Sequence, residues 1–112
     1  SLAQVLLGLA YATGRGVSRD DRQAFVWFEK AAHRNLPLAQ YGLGMLYSNG
    51  RGVEQDRIKA YLWLDLAVST GYVGAARPLD SIARQLNEAD LTRAKQLASD
   101  WRQANAQFFQ RN

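Results

Sequence analysis

The sequence predicts an all-α protein that is built from repeats. Ala, Leu, Gln and Arg, which favour helices, are frequent, whereas β-branched residues are sparse. Apolar residues return at the three- and four-residue spacing of an amphipathic helix. The chain also repeats itself with a period of 36 residues. With 112 residues, of which 47% are hydrophobic and 21% are charged, we expect one folded domain with a modest core.

The internal repeat divides the chain into three parts. When the sequence is shifted by 36 residues, residues 3–38 fall on residues 39–74, and thirteen of the thirty-six aligned pairs are identical. We therefore predict that residues 3–38 form repeat 1 and residues 39–74 form repeat 2. Residues 75–112 begin in a similar way but lack the Gly-Arg-Gly-Val run of the repeats. We expect them to form a partial third repeat that ends in a pair of capping helices.

Each repeat is expected to contain two helices, A and B. Helix B carries Ala24, Trp27 and Ala31 in repeat 1, and the same three residue types return 36 positions later. Small residues that alternate with a large ring allow two helices to approach closely while the ring fills the gap. The predicted A helices cover 2–13 and 38–49, the predicted B helices cover 21–34 and 57–70, and the last helix covers 88–107.

The Gly-Arg-Gly-Val run occurs at 14–17 and again at 50–53, each time with an Asp three residues after the Val. Gly14 is expected to take the left-handed conformation that ends helix A, and Gly16 a second such angle. Val17 is expected to pack back between the helices, and Asp20 to cap the N-terminus of helix B. The equivalent residues of repeat 2 are Gly50, Gly52, Val53 and Asp56. A phosphate-binding loop is the alternative, but neither copy is followed by the Lys-Ser or Lys-Thr that such a loop needs.

The pattern A-x3-L-G-x2-Y-x2-G-x-G-V-x2-D-x3-A-x2-W-x3-A is filled in both copies over residues 3–74. It resembles the signature of the Sel1-like repeat family. The resemblance implies a right-handed α–α superhelix related to tetratricopeptide arrays, made here of two repeats and a capping helix pair. It also implies an adaptor or scaffold that binds protein partners. Repeats of this kind often occur in bacterial secretion, envelope and signalling systems, so the resemblance implies a bacterial protein of the envelope or a secreted one.

The sequence offers little chemistry for catalysis. The net charge of +4 is spread along the chain and interleaved with acids, whereas a nucleic-acid-binding protein usually clusters its basic residues on one face. There is no Cys, and the single His33 has no second ligand or base at a recognisable spacing. No uncharged apolar run reaches the roughly 18 residues of a membrane span. We therefore predict no catalytic residues, metal, cofactor, nucleic-acid partner or membrane insertion.

The resemblance implies that a partner binds to the concave face, which the A helices line in tetratricopeptide-like solenoids. Tyr and Arg are enriched at binding hot spots, and Met adapts to irregular partners. We predict that a partner segment with some acidic character is anchored on Tyr41 and paired with Arg77 and Arg84. A solvated surface without a partner is the alternative. The positions predicted to face the groove are Val5, Leu9, Ala12, Tyr41, Met45, Ser48, Arg77, Ser81 and Arg84.

The first A helix is predicted to be apolar on almost every side, because Leu2, Val5, Leu6 and Leu9 are distributed around it. A terminal repeat normally has a polar outer face. We therefore expect either that a preceding repeat covers this helix or that the chain self-associates through it. The chain also begins without an initiator Met or a basic leader segment, so we expect it to be part of a longer protein. A purely structural role within a larger array is the alternative to partner binding.

Overall fold

The computed structural model describes residues 2–106, and these residues contain helices but no strand, as the sequence predicts. A short 3-10 turn, Val73–Ala75, leads into the fifth helix. The predicted last helix, 88–107, ends at Ala104, and residues 107–112 lie outside the described residues. The helices are α1 (Leu2–Thr13), α2 (Asp21–Ala32), α3 (Pro37–Asn49), α4 (Arg57–Ser69), α5 (Ala76–Gln85) and α6 (Glu88–Ala104).

The helix ends follow local sequence signals. The Asp20 carboxylate accepts hydrogen bonds from two backbone N–H groups in the first turn of α2, at 3.1 and 3.2 Å. The Asp56 carboxylate accepts one from α4 at 3.0 Å. At the other ends, Gly14 and Gly50 follow α1 and α3 with φ of 74° and 65°, the left-handed region that favours glycine. Helix α2 ends two residues before the predicted position, since Asn35 also takes a left-handed φ, of 61°.

Within each repeat, helices A and B approach closely because a glycine on A faces a large side chain on B. A Cβ atom on Gly8 would lie 2.7 Å from the Phe28 ring, and one on Gly44 would lie 2.8 Å from the Leu64 side chain. The Phe28 ring also lies against Gly42 of α3, where a Cβ would be 2.8 Å away. Phe28 therefore fills the space among three helices and joins the two repeats into one core.

The helices pack mainly in chain order, as in a solenoid. Helix α1 packs on α2, α2 on α3, and α3 on α4. Both α5 and α6 pack on α4, whereas their contacts with each other are few. The third helix pair thus keeps the order of a repeat but not its A–B packing, consistent with the missing Gly-Arg-Gly-Val turn. The right-handed sense of the superhelix stays a prediction.

Repeat 1 is less covered than repeat 2. Leu43 in α3 is fully buried, whereas the equivalent Leu7 in α1 is 38% exposed. Val53 packs against the core, whereas the equivalent Val17 is 39% exposed. The prediction that Val17 packs between the helices of its repeat is therefore wrong. The reason is that the turn of repeat 2 lies against α2 of the preceding repeat, whereas the described residues contain no repeat before repeat 1 against which its turn could pack.

Candidate protein-binding surface

Val5, Tyr41 and Arg77 are equivalent by the 36-residue shift and were predicted to face a groove. Val5 is only 3% exposed, so its predicted place on an open surface is wrong. Tyr41 is half-buried, and its ring lies 5.0 Å from the ring of Tyr72 at an angle of 57°. Arg77 is exposed on α5. The three positions therefore differ in character: a buried aliphatic residue, an aromatic pair and a cation.

An apolar cavity of about 390 Å³ lies where the N-terminal ends of α1 and α3 meet the segment after α4. Val5 forms part of its wall, and Tyr72 belongs both to this wall and to the pair with Tyr41. This cavity is not predictable from helix spacing, because much of its wall comes from linkers. One signal was present: Leu36 and Tyr72 occupy equivalent linker positions and are both large and apolar. The lining residues are Leu2, Val5, Leu36, Pro37, Leu38, Thr70, Gly71 and Tyr72.

A shallow depression of about 430 Å³ on α5 brings together Arg77, Ser81 and Arg84, which were all predicted to bind a partner. Asp80 shares this depression, and its carboxylate forms an ion pair with the Arg84 guanidinium at 2.7 Å. Both side chains of that ion pair are largely exposed, at 62% for Asp80 and 79% for Arg84. The pair is therefore weak and open to competition from another carboxylate.

The remaining predicted positions offer less surface. Leu9, Ala12, Met45 and Ser48 are all half-buried, and all but Ser48 pack against the core. The Ser48 carbonyl accepts a hydrogen bond from the side-chain amide of Gln55 at 2.9 Å. A partner on this face would therefore find its main side-chain contacts at Tyr41 and on α5.

The second Gly-Arg-Gly-Val turn connects the repeats. Arg51 donates from Nε and Nη2 to the two carboxylate oxygens of Asp21, at 3.2 and 2.9 Å, and from Nη2 to the Ala12 carbonyl at 3.3 Å. A Cβ on Gly52 would collide with the Asp21 carbonyl oxygen. The bonds from Arg51, aided by weaker ones from Arg19, hold the pKa of the Asp21 carboxyl below its ordinary value despite partial burial. This turn binds the start of α2.

Gln40 forms a second connection between the repeats and is the one buried polar side chain among residues 2–106. Its amide nitrogen donates to the Asn35 side-chain oxygen at 2.9 Å and to the Ala32 carbonyl at 3.4 Å. Its amide oxygen accepts from the Thr70 hydroxyl at 3.0 Å. Gln40 thus bonds to both linkers, which matters because a buried amide without partners would be costly.

His33, the single histidine, lies on the surface beside an aromatic ring. The exposed His33 ring lies edge-on to Trp63, with ring centres 5.2 Å apart. Residues 2–106 contain no group of three His, Asp or Glu side chains placed to hold a metal ion. Within the same range, no helix has the length and apolar character needed to cross a membrane.

Two solved structures share this architecture. The crystal structure of a protective antigen present in uropathogenic Escherichia coli strains, which displays an SLR fold, is 30% identical in sequence with a TM-score of 0.86. The similarity covers 98% of this chain but 25% of that one. A Sel1 repeat protein from Oxalobacter formigenes is 42% identical with a TM-score of 0.68, over 71% of this chain and 60% of that one. The present chain therefore spans only part of either protein.

The family is shown by the match to a family model, whereas no curated protein matches the chain. The model of the Sel1 repeat matches residues 1–36 and 37–72. The period is the predicted 36 residues, and each matched repeat begins two residues before the predicted boundary. Because these matches cover 72 of the 112 residues, the chain belongs to the Sel1 repeat family.

Proposed function

We propose that this chain is a non-catalytic scaffold that binds a segment of a partner protein along its A helices. Sel1 repeats are generally protein–protein interaction modules, which supports the broad role. The observation that carries the finer proposal is the Tyr41–Tyr72 pair beside the apolar cavity that Tyr72 also lines. Aromatic side chains at the edge of a cavity are common anchors at protein interfaces.

The cavity and the depression on α5 together indicate which side chains a partner segment would carry. The cavity accepts an apolar side chain, because its wall is formed almost entirely by aliphatic and aromatic groups. The depression on α5 accepts a carboxylate, which Arg77 can bind and which can compete with Asp80 for Arg84. The segment we propose therefore combines an apolar anchor with at least one acidic residue.

Binding by variants of the A-helix face tests the proposal once a partner has been captured from the source organism. The variants are Tyr41→Ala and the double change Arg77→Glu, Arg84→Glu. The matched control is Arg22→Glu, Lys30→Glu, which makes the same change in net charge on the exposed outer side of α2. We expect Tyr41→Ala and the double change each to weaken binding at least tenfold, because the loss of a single hot-spot residue typically has an effect of that size. Full binding by them and lost binding by the control would place the partner on the B helices instead.

A structural role in self-association is the second candidate, and the exposed apolar side of α1 favours it. Leu2 is 71% exposed and Leu6 is 56% exposed. Single exposed apolar residues are common, but two on one helix beside the exposed Leu7 form a patch. Sedimentation over a concentration series decides between a monomer and an oligomer. If Leu6→Glu causes an oligomer to dissociate into monomers and no partner is captured, the structural role is favoured over partner binding.

A further inference from the structure

We propose that Asn49 is a site of spontaneous deamidation, in which water converts its side-chain amide to a carboxyl, and that the second Gly-Arg-Gly-Val turn controls the rate. Asn49 is the last residue of α3 and directly precedes Gly50. This site is independent of the face on which a partner binds. It lies at the turn through which repeat 2 holds the start of α2.

The reaction needs water and the backbone nitrogen of the residue that follows the asparagine. The Gly50 nitrogen gives its proton to water and attacks Cγ of the Asn49 side chain, and ammonia leaves from that carbon. Water then opens the resulting cyclic imide at one of its two carbonyl carbons. The product is either aspartate or isoaspartate, in which the main chain runs through Cβ and Cγ. The net change consumes one water and releases one ammonia.

The neighbouring residue distinguishes Asn49 from the other asparagines of the described chain. Glycine has no side chain, so the Gly50 nitrogen is open to close approach by the Asn49 side chain. Asn35, Asn87 and Asn105 are each followed by a residue that has a side chain. Asparagine is one of the thermolabile residue types in proteins. The sequence therefore places the most reactive asparagine at the end of α3.

Hydrogen bonding separates the same four asparagines. The side-chain oxygen of Asn35 accepts from a buried amide of α3 at 2.9 Å, and that of Asn87 accepts from an N–H of α6 at 2.8 Å. The Asn105 amide donates to a carbonyl of α6 at 2.9 Å. The exposed Asn49 side chain makes no hydrogen bond to another of residues 2–106. Its carboxamide can therefore turn toward the next backbone nitrogen without losing a partner within that range.

The folded turn protects this nitrogen. The Gly50 N–H donates to the Leu46 carbonyl, and Gly50 has the left-handed φ of 65° that ends α3. Because a hydrogen-bonded N–H gives up its proton less readily, the attack requires a local opening of the turn. The N–H of Arg51 donates to the same carbonyl at 3.0 Å, and the Arg51 side chain binds Asp21. The contact between the repeats should therefore slow the reaction.

The first turn shows that the fold does not require an asparagine at this position. Thr13 is the equivalent of Asn49, and its hydroxyl donates to a carbonyl of α1 at 2.8 Å. Gly14 is the equivalent of Gly50; it has a φ of 74°, and its N–H donates to a carbonyl of α1 at 2.8 Å. The two turns share their backbone geometry, and the reactive pair occurs only in the second.

Conversion should loosen the contact between the repeats. Isoaspartate lengthens the main chain by one carbon atom just before Gly50 and Arg51. Gly52 lies so close to the Asp21 backbone that even a Cβ would collide there, so a displaced turn no longer fits. Aspartate instead places a negative charge in the last turn of α3, which the helix dipole disfavours. Either product adds one negative charge to a chain with a net charge of +4.

Peptide mapping by mass spectrometry tests the site. The full chain and a linear peptide of residues 45–54 are kept at mildly alkaline pH, and the mass change from amide to carboxyl is located and timed. We expect Asn49 to convert before any other asparagine. In the folded chain its conversion should be about tenfold or more slower than in the peptide. Earlier conversion elsewhere would overturn the assignment, and equal rates in chain and peptide would overturn the control by the turn.

Two variants test the link to the contact between repeats. Asp21→Ala removes the partner of Arg51 and leaves the sequence of the second turn unchanged. It should speed conversion about two- to fivefold, the effect of one partly exposed ion pair. Asp80→Ala removes the largely exposed ion pair of α5 and is the control, so its rate should equal that of the parent. A parental rate in Asp21→Ala would contradict the link.

The converted chain tests the consequence. Ion exchange separates it from the parent by its additional negative charge, and thermal unfolding compares the two. We expect a lower midpoint for the converted chain. Arg51→Ala should lower that midpoint by less than it lowers the parent's, because the contact that Arg51 makes is already loosened. An unchanged midpoint, or an equal effect of Arg51→Ala in both, would show that the turn accommodates the product and would contradict the loosening.

Discussion

Arg51 binds Asp21 across thirty residues of sequence, through two N–H groups that reach both oxygens of one carboxylate. This ion pair shows why the chain repeats an Arg inside a turn that glycine alone could make. The turn ends helix A of its own repeat, and its Arg holds the first residue of helix B in the preceding repeat. Two-pronged Arg–carboxylate pairs are more directional than single ion pairs, so the pair also helps to fix the angle between the repeats.

The ion pair predicts an asymmetry between two identical turns. Arg51→Ala should lower the free energy of unfolding by about 0.5–1 kcal/mol, the range for partly exposed ion pairs. Arg15→Ala, the same change in the same local sequence, should have almost no effect because Arg15 is exposed in the first turn. Urea unfolding of the two variants measures the difference. Equal losses would mean that the Arg acts within its own turn.

The glycines of the two turns give a second matched pair. Gly16 and Gly52 have φ of 81° and 71°, so an alanine at either position is strained by about 1 kcal/mol. Only the Cβ on Gly52 would also collide with the Asp21 backbone. We expect Gly52→Ala to destabilise the protein by about 1–3 kcal/mol more than Gly16→Ala, as in overpacked contacts. Thermal unfolding of both variants tests this, and equal midpoints would argue against close packing of Gly52 on the Asp21 backbone.

Acid should loosen the junction between the repeats. Because hydrogen bonds from Arg51 lower the pKa of Asp21 in the folded chain, this pair stabilises the protein above the unfolded pKa of about 3.9. The stabilisation is lost as the pH falls through the lower, folded pKa. We therefore expect Asp21→Asn to be less stable than the parent at pH 6 and to approach it at pH 2. Asp80→Asn, in the largely exposed ion pair on α5, should change the stability at pH 6 only slightly.

Removing the buried amide of Gln40 should lower the free energy of unfolding, because this amide bonds to both linkers. Gln40→Leu keeps most of the volume but leaves the Asn35 side-chain oxygen without its donor, whereas the Thr70 hydroxyl can still donate to the Leu66 carbonyl. We expect a loss of about 1–3 kcal/mol in the free energy of unfolding. Gln23→Leu, on the exposed side of α2, is the control and should be nearly neutral. A neutral Gln40→Leu would show that apolar contact alone holds the linkers together.

Much of the fold could be read from the sequence because local signals and the repeat agree. Glycine at the end of helix A, Asp at the start of helix B and the period of 36 residues predict the same helices. Contacts between repeats were harder to predict. The Arg51–Asp21 pair and the two-sided packing of Phe28 depend on the angle between repeats, which no single repeat encodes. The exposure of Val17 has the same origin: Val17 and Val53 occupy identical turns, but only the turn of Val53 lies against a preceding repeat among the described residues.

The candidate site was predicted only in part. Helical spacing places Arg77, Ser81 and Arg84 together on α5, where they line one depression. The same spacing places Val5 on an open face, although its side chain is buried in the wall of a cavity. That cavity is formed by two linkers and a helix end that lie far apart in the sequence. Helix periodicity carries no information about such linker contacts.

Site-specific photo-crosslinking tests the proposed binding face most directly. A photoreactive amino acid replaces Tyr41 in one protein and Lys30, on the outer side of α2, in another. Both are exposed to the same extract of the source organism, and the captured proteins are compared. We predict that the probe at position 41 captures a partner that the Arg77→Glu, Arg84→Glu background no longer yields, whereas the probe at position 30 does not capture it. Capture at position 30 alone, unaffected by those charge reversals, would contradict binding along the A helices.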